Sequence, residues 1–442
     1  MTMHYEGAVN DPRSLLSSST MSWYQIGAVA ITLSLCALDG FDVLAITFAA
    51  PGISREWGIS KSALGVVFSA GLIGMAAGSF LISPLADLLG RRKIILLCLA
   101  VMAVGMLVTA TSRSIAMLAA WRVVTGLGIG GMVSVIYPLA AEYANARRRD
   151  FAVGITAVGY GIGGVIGGLV VAELLRHFGW RSIFIFGGSV AILMGPLVYL
   201  RLPESVPFLI ARARPNSLAQ VNVFLARCSL PEVSELPLPD HAARRARRSD
   251  IFAPGLARAT VTIALCNLLF VLSFYYLLNW LPQMVTELNF SASQAAQVSV
   301  ATNLGGVLGG TALGWTSNRF GLKRLLLFSL CAAAGMITLF GQTPANFPLL
   351  IATAALTGIF LFASAIGIFA VLASAYPSHL RATGTGFVVG IGRVSSAAAP
   401  AIAGFMLAAG ISGGEVALLM SLPALLTAII FSTLDVQNVA IA

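Results

Sequence analysis

Twelve apolar runs with few or no charges recur along this 442-residue chain. Each run is long enough to cross a bilayer, which takes roughly 20 residues of helix. A spanning segment must satisfy its own backbone hydrogen bonds, and these runs lack the alternation of barrel strands, so we expect helices. The runs lie near 24–51, 62–86, 94–111, 115–141, 151–174, 182–200, 259–282, 294–316, 325–341, 347–375, 383–409 and 415–434. The sequence therefore predicts an all-α membrane protein with twelve transmembrane helices.

The composition excludes most other classes of protein. Only 10% of the residues are charged and 58% are hydrophobic, whereas a soluble domain is about 25% charged. The five cysteines lie far apart, so they form neither a disulfide framework nor a CxxC metal or redox pair. The sequence also lacks the phosphate-binding GxxxxGK[ST] loop and the HExxH zinc motif. We expect no enzyme activity, no cofactor and no bound metal.

Lysine and arginine are distributed unevenly over the gaps between the runs. The short even-numbered gaps hold ten of them, the odd-numbered gaps hold five, and the long gap after the sixth run adds nine. Basic residues concentrate in the cytoplasmic loops of membrane proteins. The net charge of +10 therefore indicates orientation rather than nucleic-acid binding, and both termini are expected in the cytoplasm.

The long gap divides the chain into two sets of six runs. We predict an N-terminal six-helix bundle over 1–202 with a polar tail at 1–22, a cytoplasmic linker over 203–258, and a C-terminal six-helix bundle over 259–442. A basic cluster in the linker either contacts lipid headgroups or belongs to a solvated connection that fixes the topology. The cluster consists of Arg244, Arg245, Arg247 and Arg248.

A repeat relates the two halves of the chain. The segment that closes the second run, from Ser83 to Lys93, aligns with the segment that closes the eighth, 231 positions later. In this alignment Gly90 matches Gly321 and Lys93 matches Arg324. Repeated halves predict a pseudo-symmetric molecule with a binding site between them.

These motifs resemble those of a known family. Asp87-Leu-Leu-Gly90-Arg91-Arg92, its degenerate copy and the six-plus-six layout resemble the major facilitator superfamily over nearly the whole chain. A narrower resemblance, to the aromatic acid:proton symporter branch, rests on four further segments. They are Asp39-Gly40-Phe41-Asp42, Arg122 to Gly128, Asn279-Trp280-Leu281-Pro282, and Tyr376 to Gly384 leading to Arg393. The resemblance implies two helical bundles that work by alternating access.

The resemblance also implies a gate at the cytoplasmic end of the second run. There Asp87 can dock on the positive N-terminus of a neighbouring helix, while Gly90 permits a tight turn. Glu142 is expected to join this cluster near the arginines that follow the fourth run. A static helix cap is the alternative interpretation. The predicted gate residues are Asp87, Gly90, Arg91, Arg92, Glu142 and Arg148.

A few ionisable residues lie deep in the runs, where each costs about 2.5–3.5 kcal/mol to insert. Asp39 lies roughly 22 Å into the first helix, near the bilayer midplane. Asp42 is three residues further, so the two carboxylates share a helix face. Burial and a neighbouring like charge favour the protonated form of a carboxyl group. We therefore predict that Asp39 and Asp42 couple to protons. The resemblance implies a role in proton coupling for Arg122 of the fourth run as well, and the alternative for all three is structural ion pairing between helices.

Arg393 lies near the middle of the eleventh run, with no acidic residue before it in that run. Its guanidinium stays charged, and its fork matches the geometry of a carboxylate. We predict that it binds a substrate carboxylate, and the alternative is a permanent pair with Asp39 or Asp42. Aromatic and amide side chains in spans can bind substrate or hold helices together. The further candidates for the binding site are Phe41, Tyr275, Asn279 and Asn303.

The residues and the resemblance predict proton-coupled uptake of a small organic anion, an aromatic carboxylate, across the cell inner membrane. The expected partners are this substrate, protons and the lipid bilayer, without nucleic acid, and the protein is expected to be a monomer. Two alternatives remain open. One is a uniporter or proton antiporter for a neutral or drug-like solute, in which Arg393 would be structural, and the other is a transporter-like receptor that signals without transport.

Overall fold

Twelve long helices make up the body of the molecule. The computed structural model describes residues 11–237, 248–253, 256–376 and 380–433. Within these residues the helices, numbered in chain order, are α1 Trp23–Trp57, α2 Lys61–Leu81, α3 Arg91–Ala110, α4 Ile115–Tyr143, α5 Arg149–His177, α6 Arg181–Arg201, α7 Ala257–Glu287, α8 Ala292–Phe320, α9 Leu322–Gly341, α10 Phe347–Ser374, α11 Arg381–Ala408 and α12 Gly413–Ser432. The prediction of an all-α protein with twelve helices is confirmed.

Eleven of the helices in the described part of the chain are long and apolar enough to cross a bilayer. The exception is α8, whose apolar sequence is interrupted by Gln294, Gln297 and Asn303. Two of these three side chains lie in the first turns of the helix, and the third, Asn303, is buried. The helix is as long as its neighbours, at 29 residues, so it completes the bundle although its composition is more polar.

Serine side chains begin several of the helices. Ser22, Ser291 and Ser412 each accept a hydrogen bond from the third backbone N–H of α1, α8 and α12, and the side chain at that third position bonds back to the serine. This reciprocal arrangement satisfies N–H groups that would otherwise lack a partner at a helix start. Local sequence therefore determines where these spans begin, independently of the packing between helices.

The second apolar run was expected to form one helix over 62–86, and the structure divides it. Helix α2 ends at Leu81, and a short helix, Ser83–Leu89, follows after Ile82. Pro84 lies in the first turn of the short helix, where its missing N–H costs nothing but where it cannot continue a preceding helix. Gly90 then takes a φ of 111°, a region that other residues rarely enter, and α3 begins at the next residue.

The start of α1 and the ends of α2, α4 and α6 meet at one end of the bundle. Two short helices, Val206–Arg212 and Ser217–Arg227, pack there against the N-terminal half. Arg227 donates to the hydroxyl of Tyr24 at 2.9 Å, and the amide of Asn145 donates to Ser19 O at 2.8 Å. We call this end the linker end. The predicted basic cluster lies mostly outside the described residues, as do positions 1–10 of the predicted tail.

The two halves touch along α2–α11 and α5–α8. At the end of the bundle opposite the linker, Lys61 and Glu287 form an ion pair at 2.9 Å. Slightly deeper, the rings of Phe68 and Trp280 meet edge to face, with centroids 5.5 Å apart. A hydrogen bond of 2.7 Å from Ser293 to the carbonyl of Ala172 joins α8 to α5. The described contacts thus close the opposite end of the interface.

Helix α5 carries glycines on two faces. One face lies against the backbone of α1, where a Cβ at Gly159 or Gly163 would overlap main-chain atoms of Leu33 or Ala37. The other face meets α8 of the opposite half, where a Cβ would overlap side chains instead of backbone. The facing pairs there are Gly161 with Val307, Gly164 with Asn303, and Gly168 with Val300. Helix α5 is therefore joined to its own half by backbone contacts and to the other half by side-chain ends.

Candidate functional site

A buried ion pair joins α1 to α4. Arg122 donates from Nη1 to Asp42 Oδ1 at 2.9 Å and from Nη2 to the Asp42 carbonyl at 3.1 Å. The side chains of both residues are at most 2% exposed. The Phe184 ring lies 5.9 Å from the guanidinium carbon and covers one of its faces. The structure thus gives Asp42 a fixed counter-ion, which is the arrangement expected if Arg122 holds the first helix against the fourth.

Asp39 lies one turn before Asp42 and is 1% exposed. Neither of its carboxylate oxygens has a hydrogen-bond partner among the described residues. Its charge interacts with those of Asp42 and of Arg393, which belongs to the other half of the molecule. A carboxylate buried without a partner is costly when ionised, so this group is suited to carry a proton.

Arg393 reaches across the interface from α11 to α2. Its Nη1 lies 3.2 Å from the thioether sulfur of Met75, and a thioether is a weak acceptor. Arg393 forms no ion pair with a carboxylate in the part of the chain that the structure describes. The permanent pair with Asp39 or Asp42 is therefore not formed in this conformation, and the guanidinium retains free donors at the junction of the halves.

Three tyrosines surround Asp39 and Arg393. The Tyr137 hydroxyl lies 3.4 Å from the sulfur of Cys36, one turn before Asp39 on α1. Tyr160 of α5 is within range of the charges of Arg393 and Asp39, and its hydroxyl has no hydrogen-bond partner in the described chain. Tyr275 of α7 lies close enough to Tyr160 to interact with it electrostatically. The predicted residue Tyr275 thus belongs to the same group as Asp39 and Arg393.

The two predicted asparagines are both buried at the interface of the halves. Asn279 donates to Tyr275 O at 2.7 Å. It lines a cavity of about 10 Å³ together with Arg122 and Met75, which is about the space that one water molecule needs. Asn303 donates to Ser299 O of its own helix at 2.9 Å, and its amide oxygen has no partner among the described residues. Both side-chain amides therefore retain an oxygen that can accept a hydrogen bond at the interface of the halves.

Phe41 does not join this group. Its ring packs edge to face on Phe186, with centroids 5.5 Å apart, and it contacts the glycine positions 167 and 187 inside the N-terminal half. The reason is helical geometry: two residues after Asp39, a side chain points to a different face of α1. These contacts give Phe41 a packing role between α1, α5 and α6, and its substrate-binding role stays a prediction.

The predicted gate residues form a cluster at the linker end. Arg91 donates to Asp87 at 2.5 Å and to Glu142 at 3.3 Å. Asp87 is 73% exposed at its side chain, and its expected contact with a helix N-terminus is made by another residue. The carboxylate of Glu204 accepts from the backbone N–H of Arg91 at 2.8 Å and of Arg92 at 3.4 Å. Glu204 therefore interacts with the positive start of α3, in the place expected for Asp87.

Two further gate predictions concern arginines. Arg148 is exposed in the turn Ala146–Arg148, and Glu142 pairs with Arg91 in its place. The turn ends the fourth span at Tyr143 and directs the basic residues that follow toward solvent. Arg92 donates to the carbonyl of Tyr199 and lies over its ring, with 4.9 Å between the guanidinium carbon and the ring centroid. Arg92 thus links α3 to the end of α6.

Two bundles of six helices, with buried charges where they meet, define a polytopic transporter fold. The sequence matches the Major Facilitator Superfamily over residues 32–256 and 263–438, and the chain belongs to this family. It is 29% identical to the gallate transporter of Pseudomonas putida over 424 residues, or 95% of this chain and 94% of the relative. It is 30% identical to the 3-(3-hydroxy-phenyl)propionate transporter of Escherichia coli (strain K12) over 386 residues, or 86% and 87%.

A solved structure shows the same fold. The xylose transporter of E. coli, in a partially occluded inward open conformation, superposes with a TM-score of 0.73 at 16% identity, covering 94% of this chain and 98% of that one. The predicted resemblance to the family, and to its aromatic acid transporters, is confirmed. The chain is thus a multi-pass membrane protein of a transporter family, not an enzyme.

Sequence reasoning missed three residues of the two clusters, Met75, Tyr160 and Glu204, and it did not select a fourth, Tyr137. Tyr160 could have been noticed, because it is one bulky polar side chain within a glycine-rich stretch of α5, between Gly159 and Gly161. Glu204 follows the last residues of α6 in the linker and has no motif around it that would predict its contact with α3. Met75 is one of many apolar residues in α2, and the sequence contains no signal for its contact with Arg393.

Proposed function

We propose that this protein takes up a small aromatic carboxylate together with a proton, by alternating access of its two halves. The observation that supports this most directly is that two ionisable groups from opposite halves, the buried Asp39 and the partly buried Arg393, interact electrostatically without forming an ion pair among the described residues. Arg393 lacks a carboxylate partner in the described chain, while Asp39 has no hydrogen-bond partner and senses the charge of Arg393. The relatives named above transport aromatic acids, which supports this class of substrate.

The coupling follows from competition for one positive charge. An ionised Asp39 stabilises Arg393 electrostatically and so opposes the binding of a second anion there. Protonation of Asp39 removes this competition and frees the guanidinium fork for a substrate carboxylate. By linkage, bound substrate favours the protonated form of Asp39 to the same extent. One proton with one monoanion moves no net charge, so the pH gradient alone drives uptake.

The aromatic ring of the substrate would lie among the three tyrosines. Tyr137 of α4 and Tyr160 of α5 lie within electrostatic range of Asp39 and Arg393, and Tyr275 of α7 lies within range of Tyr160, so both halves contribute to the proposed site. Aromatic rings pair favourably edge to face or offset, at about 0.5–1.5 kcal/mol beyond the area that they bury. The tyrosines also carry hydroxyl groups that can hydrogen-bond to polar substituents on a substrate.

We further propose that the linker end is cytoplasmic, with both termini inside and the protein acting as a monomer in a bacterial inner membrane. The excess of lysine and arginine at this end supports the orientation. A cysteine introduced at Arg113, in the exposed loop between α3 and α4 at the opposite end, should react with an impermeant maleimide added to intact cells. Reaction only after lysis would contradict the orientation.

The function is tested by uptake of labelled benzoate and 4-hydroxybenzoate into proteoliposomes under an imposed pH gradient. Arg393→Ala should raise KM roughly 10- to 150-fold, because a hydrogen-bonded pair with a charged group contributes about 1.5–3 kcal/mol. Arg393→Lys should recover part of this loss. The control is Arg113→Gln, which removes a positive charge from the exposed loop between α3 and α4.

Asp39→Asn should bind substrate and exchange it across the membrane but should not accumulate it against a gradient. Uphill accumulation by this variant would contradict the proton-coupling role. An unchanged KM for benzoate in Arg393→Ala would contradict the binding role of Arg393. An absence of benzoate and 4-hydroxybenzoate uptake by the wild type would support the alternative of a transporter for neutral solutes.

A further inference from the structure

A second cavity lies at the linker end, far from the central group of charges. Its volume is about 250 Å³, and it lies between the start of α3, the end of α6 and the two linker helices. Four basic side chains line it, Arg92, Lys93, Arg212 and Arg214, with the single carboxylate of Glu204. The cavity shares Arg92 and Glu204 with the gate cluster but lies apart from the proposed substrate site.

The charges of these four residues are not neutralised by the protein. Arg212 donates to Asp87 O at 2.8 Å, and Arg214 donates to Leu88 O at 3.1 Å, so each uses part of its guanidinium on a neutral carbonyl. The Nε of Arg92 is buried without a partner in the described chain. None of the four forms an ion pair with a carboxylate of the described residues. The cavity is therefore strongly electropositive.

Glu204 supplies one negative charge against these four positive charges, so the cavity remains positive overall. Its Oε1 accepts three backbone N–H groups, those of Arg91, Arg92 and Ser205, so the carboxylate already serves the start of α3. Burial raises the pKa of the Glu204 carboxyl. The cavity thus lacks a free anion, and its spare N–H donors match the oxygens of a phosphate group.

The wall of the cavity on the membrane side is apolar and exposed. Leu89 and Tyr199 line the cavity and are 46% and 62% exposed, and Leu200 beside Tyr199 is 69% exposed. Helix α6 ends one residue later, so these side chains lie where the hydrocarbon of a bilayer gives way to headgroups. A soluble phosphate would not use this apolar surface, whereas a phospholipid would place its acyl chains there.

We propose that this cavity binds the phosphate of an anionic phospholipid from the leaflet at the linker end. The headgroup would bridge α3 and the helices Val206–Arg212 and Ser217–Arg227, and so would fasten the linker to the N-terminal half. The net positive charge of the cavity favours phosphatidylglycerol over zwitterionic lipids. This site is separate from the proposed substrate site, because no contact among the described residues joins it to Asp39 or Arg393, although it shares Arg92 and Glu204 with the gate cluster.

The test is native mass spectrometry of the full-length protein, released from detergent and titrated with phosphatidylglycerol or phosphatidylcholine. Lys93→Gln should weaken phosphatidylglycerol binding about five-fold, since a basic residue near an anionic lipid contributes about 1 kcal/mol. Lys93→Glu should weaken it further. Lys93 is exposed and lines the cavity, so these variants should fold as the wild type does, which size-exclusion chromatography verifies.

The matched control is Arg324→Gln, which removes the exposed basic residue at the equivalent position of the C-terminal repeat. It should leave phosphatidylglycerol binding unchanged. Equal losses in Lys93→Gln and Arg324→Gln, or no loss in Lys93→Gln, would overturn the proposal. Thermal stabilisation by inorganic phosphate that matches the effect of phosphatidylglycerol would overturn the assignment to a lipid in favour of a free phosphate.

Discussion

Gly65 of α2 lies at a close backbone approach between the two halves at the end opposite the linker. A Cβ at this position would lie 2.6 Å from the carbonyl oxygen of Pro400 and 3.2 Å from the Cα atoms of Ala401 and Gly404. All three atoms are backbone of α11, so no side chain can rotate out of the way. Gly65→Ala therefore forces α2 and α11 apart and penalises the conformation that is closed at this end.

The size of the effect can be estimated from the cost of overpacking. One additional methyl group in a well-packed contact costs about 1–3 kcal/mol. Only the conformation closed at this end incurs the cost, because α2 and α11 separate there when it opens. The population ratio should therefore shift roughly 5- to 150-fold toward the conformation that is open at the end opposite the linker. Uptake slows, because the return to the closed conformation becomes rare.

The assay is a distance measurement between spin labels at two equivalent loops of that end. Arg113 and Ala345 are exposed in the α3–α4 and α9–α10 loops, and both are replaced by cysteine. Cys331, the exposed native cysteine among the described residues, is replaced by serine. Double electron–electron resonance in nanodiscs should show a longer main distance in Gly65→Ala than in the parent protein.

Two alanine variants serve as controls for this measurement. At Gly126 an added Cβ would overlap Gly71 and Met75 within the N-terminal half, and at Gly195 it would meet open space. Gly126→Ala should lower thermal stability without a change in the distance, and Gly195→Ala should alter neither. An unchanged distance in Gly65→Ala, or an equal change in Gly126→Ala, would refute the assignment of this contact to the closed state.

Two further predictions concern stability. Arg122→Met should lower the free energy of unfolding by about 3–5 kcal/mol, because it leaves Asp42 charged and buried without a partner. The double variant Arg122→Met with Asp42→Asn should regain much of this loss. Calorimetry measures both variants, and a double variant as unstable as the single one would contradict the pairing. Burial raises the pKa of Glu204 above its ordinary value of 4.5, so the folded state holds this proton to higher pH than the unfolded state and stability is lost as pH rises from about 4.5. Glu204→Gln should therefore gain melting temperature relative to the wild type between pH 4.5 and 7.5, and a constant difference over this range would refute the argument.

The sequence predicted the helices well because a bilayer imposes a length and an apolar composition on each span. The first run, expected near 24–51, became a helix from Trp23 to Trp57, and the eleventh, expected near 383–409, became Arg381–Ala408. The helices extend past the apolar runs at several ends, because a helix continues through the headgroup region while the apolar composition stops at the hydrocarbon. The break at Ile82 depended on the local effect of Pro84 and was not expected.

The depth of Asp39 and Arg393 could also be predicted, since counting residues along a helix gives position across the membrane. Their partners could not. Asp39 and Asp42 are one turn apart, yet the rotation of α1 against α4 gives only Asp42 the fork of Arg122. Pairing of this kind depends on how helices far apart in sequence are rotated against each other. For the same reason Glu204, rather than Asp87, interacts with the start of α3.

The two glycine faces of α5 should behave differently when the two halves move against each other. At α1 the contact is between main-chain atoms, so α5 and α1 should move together with the N-terminal half as one rigid body. At α8 the contact is with side-chain atoms, which reorient far faster than the microsecond-to-millisecond motions of whole domains. Helix α8 should therefore slide past α5 with little resistance. Apart from Asn303, which is also a predicted substrate-binding residue, the side chains on this face should hardly affect the speed of turnover, which should depend on the close contact at Gly65.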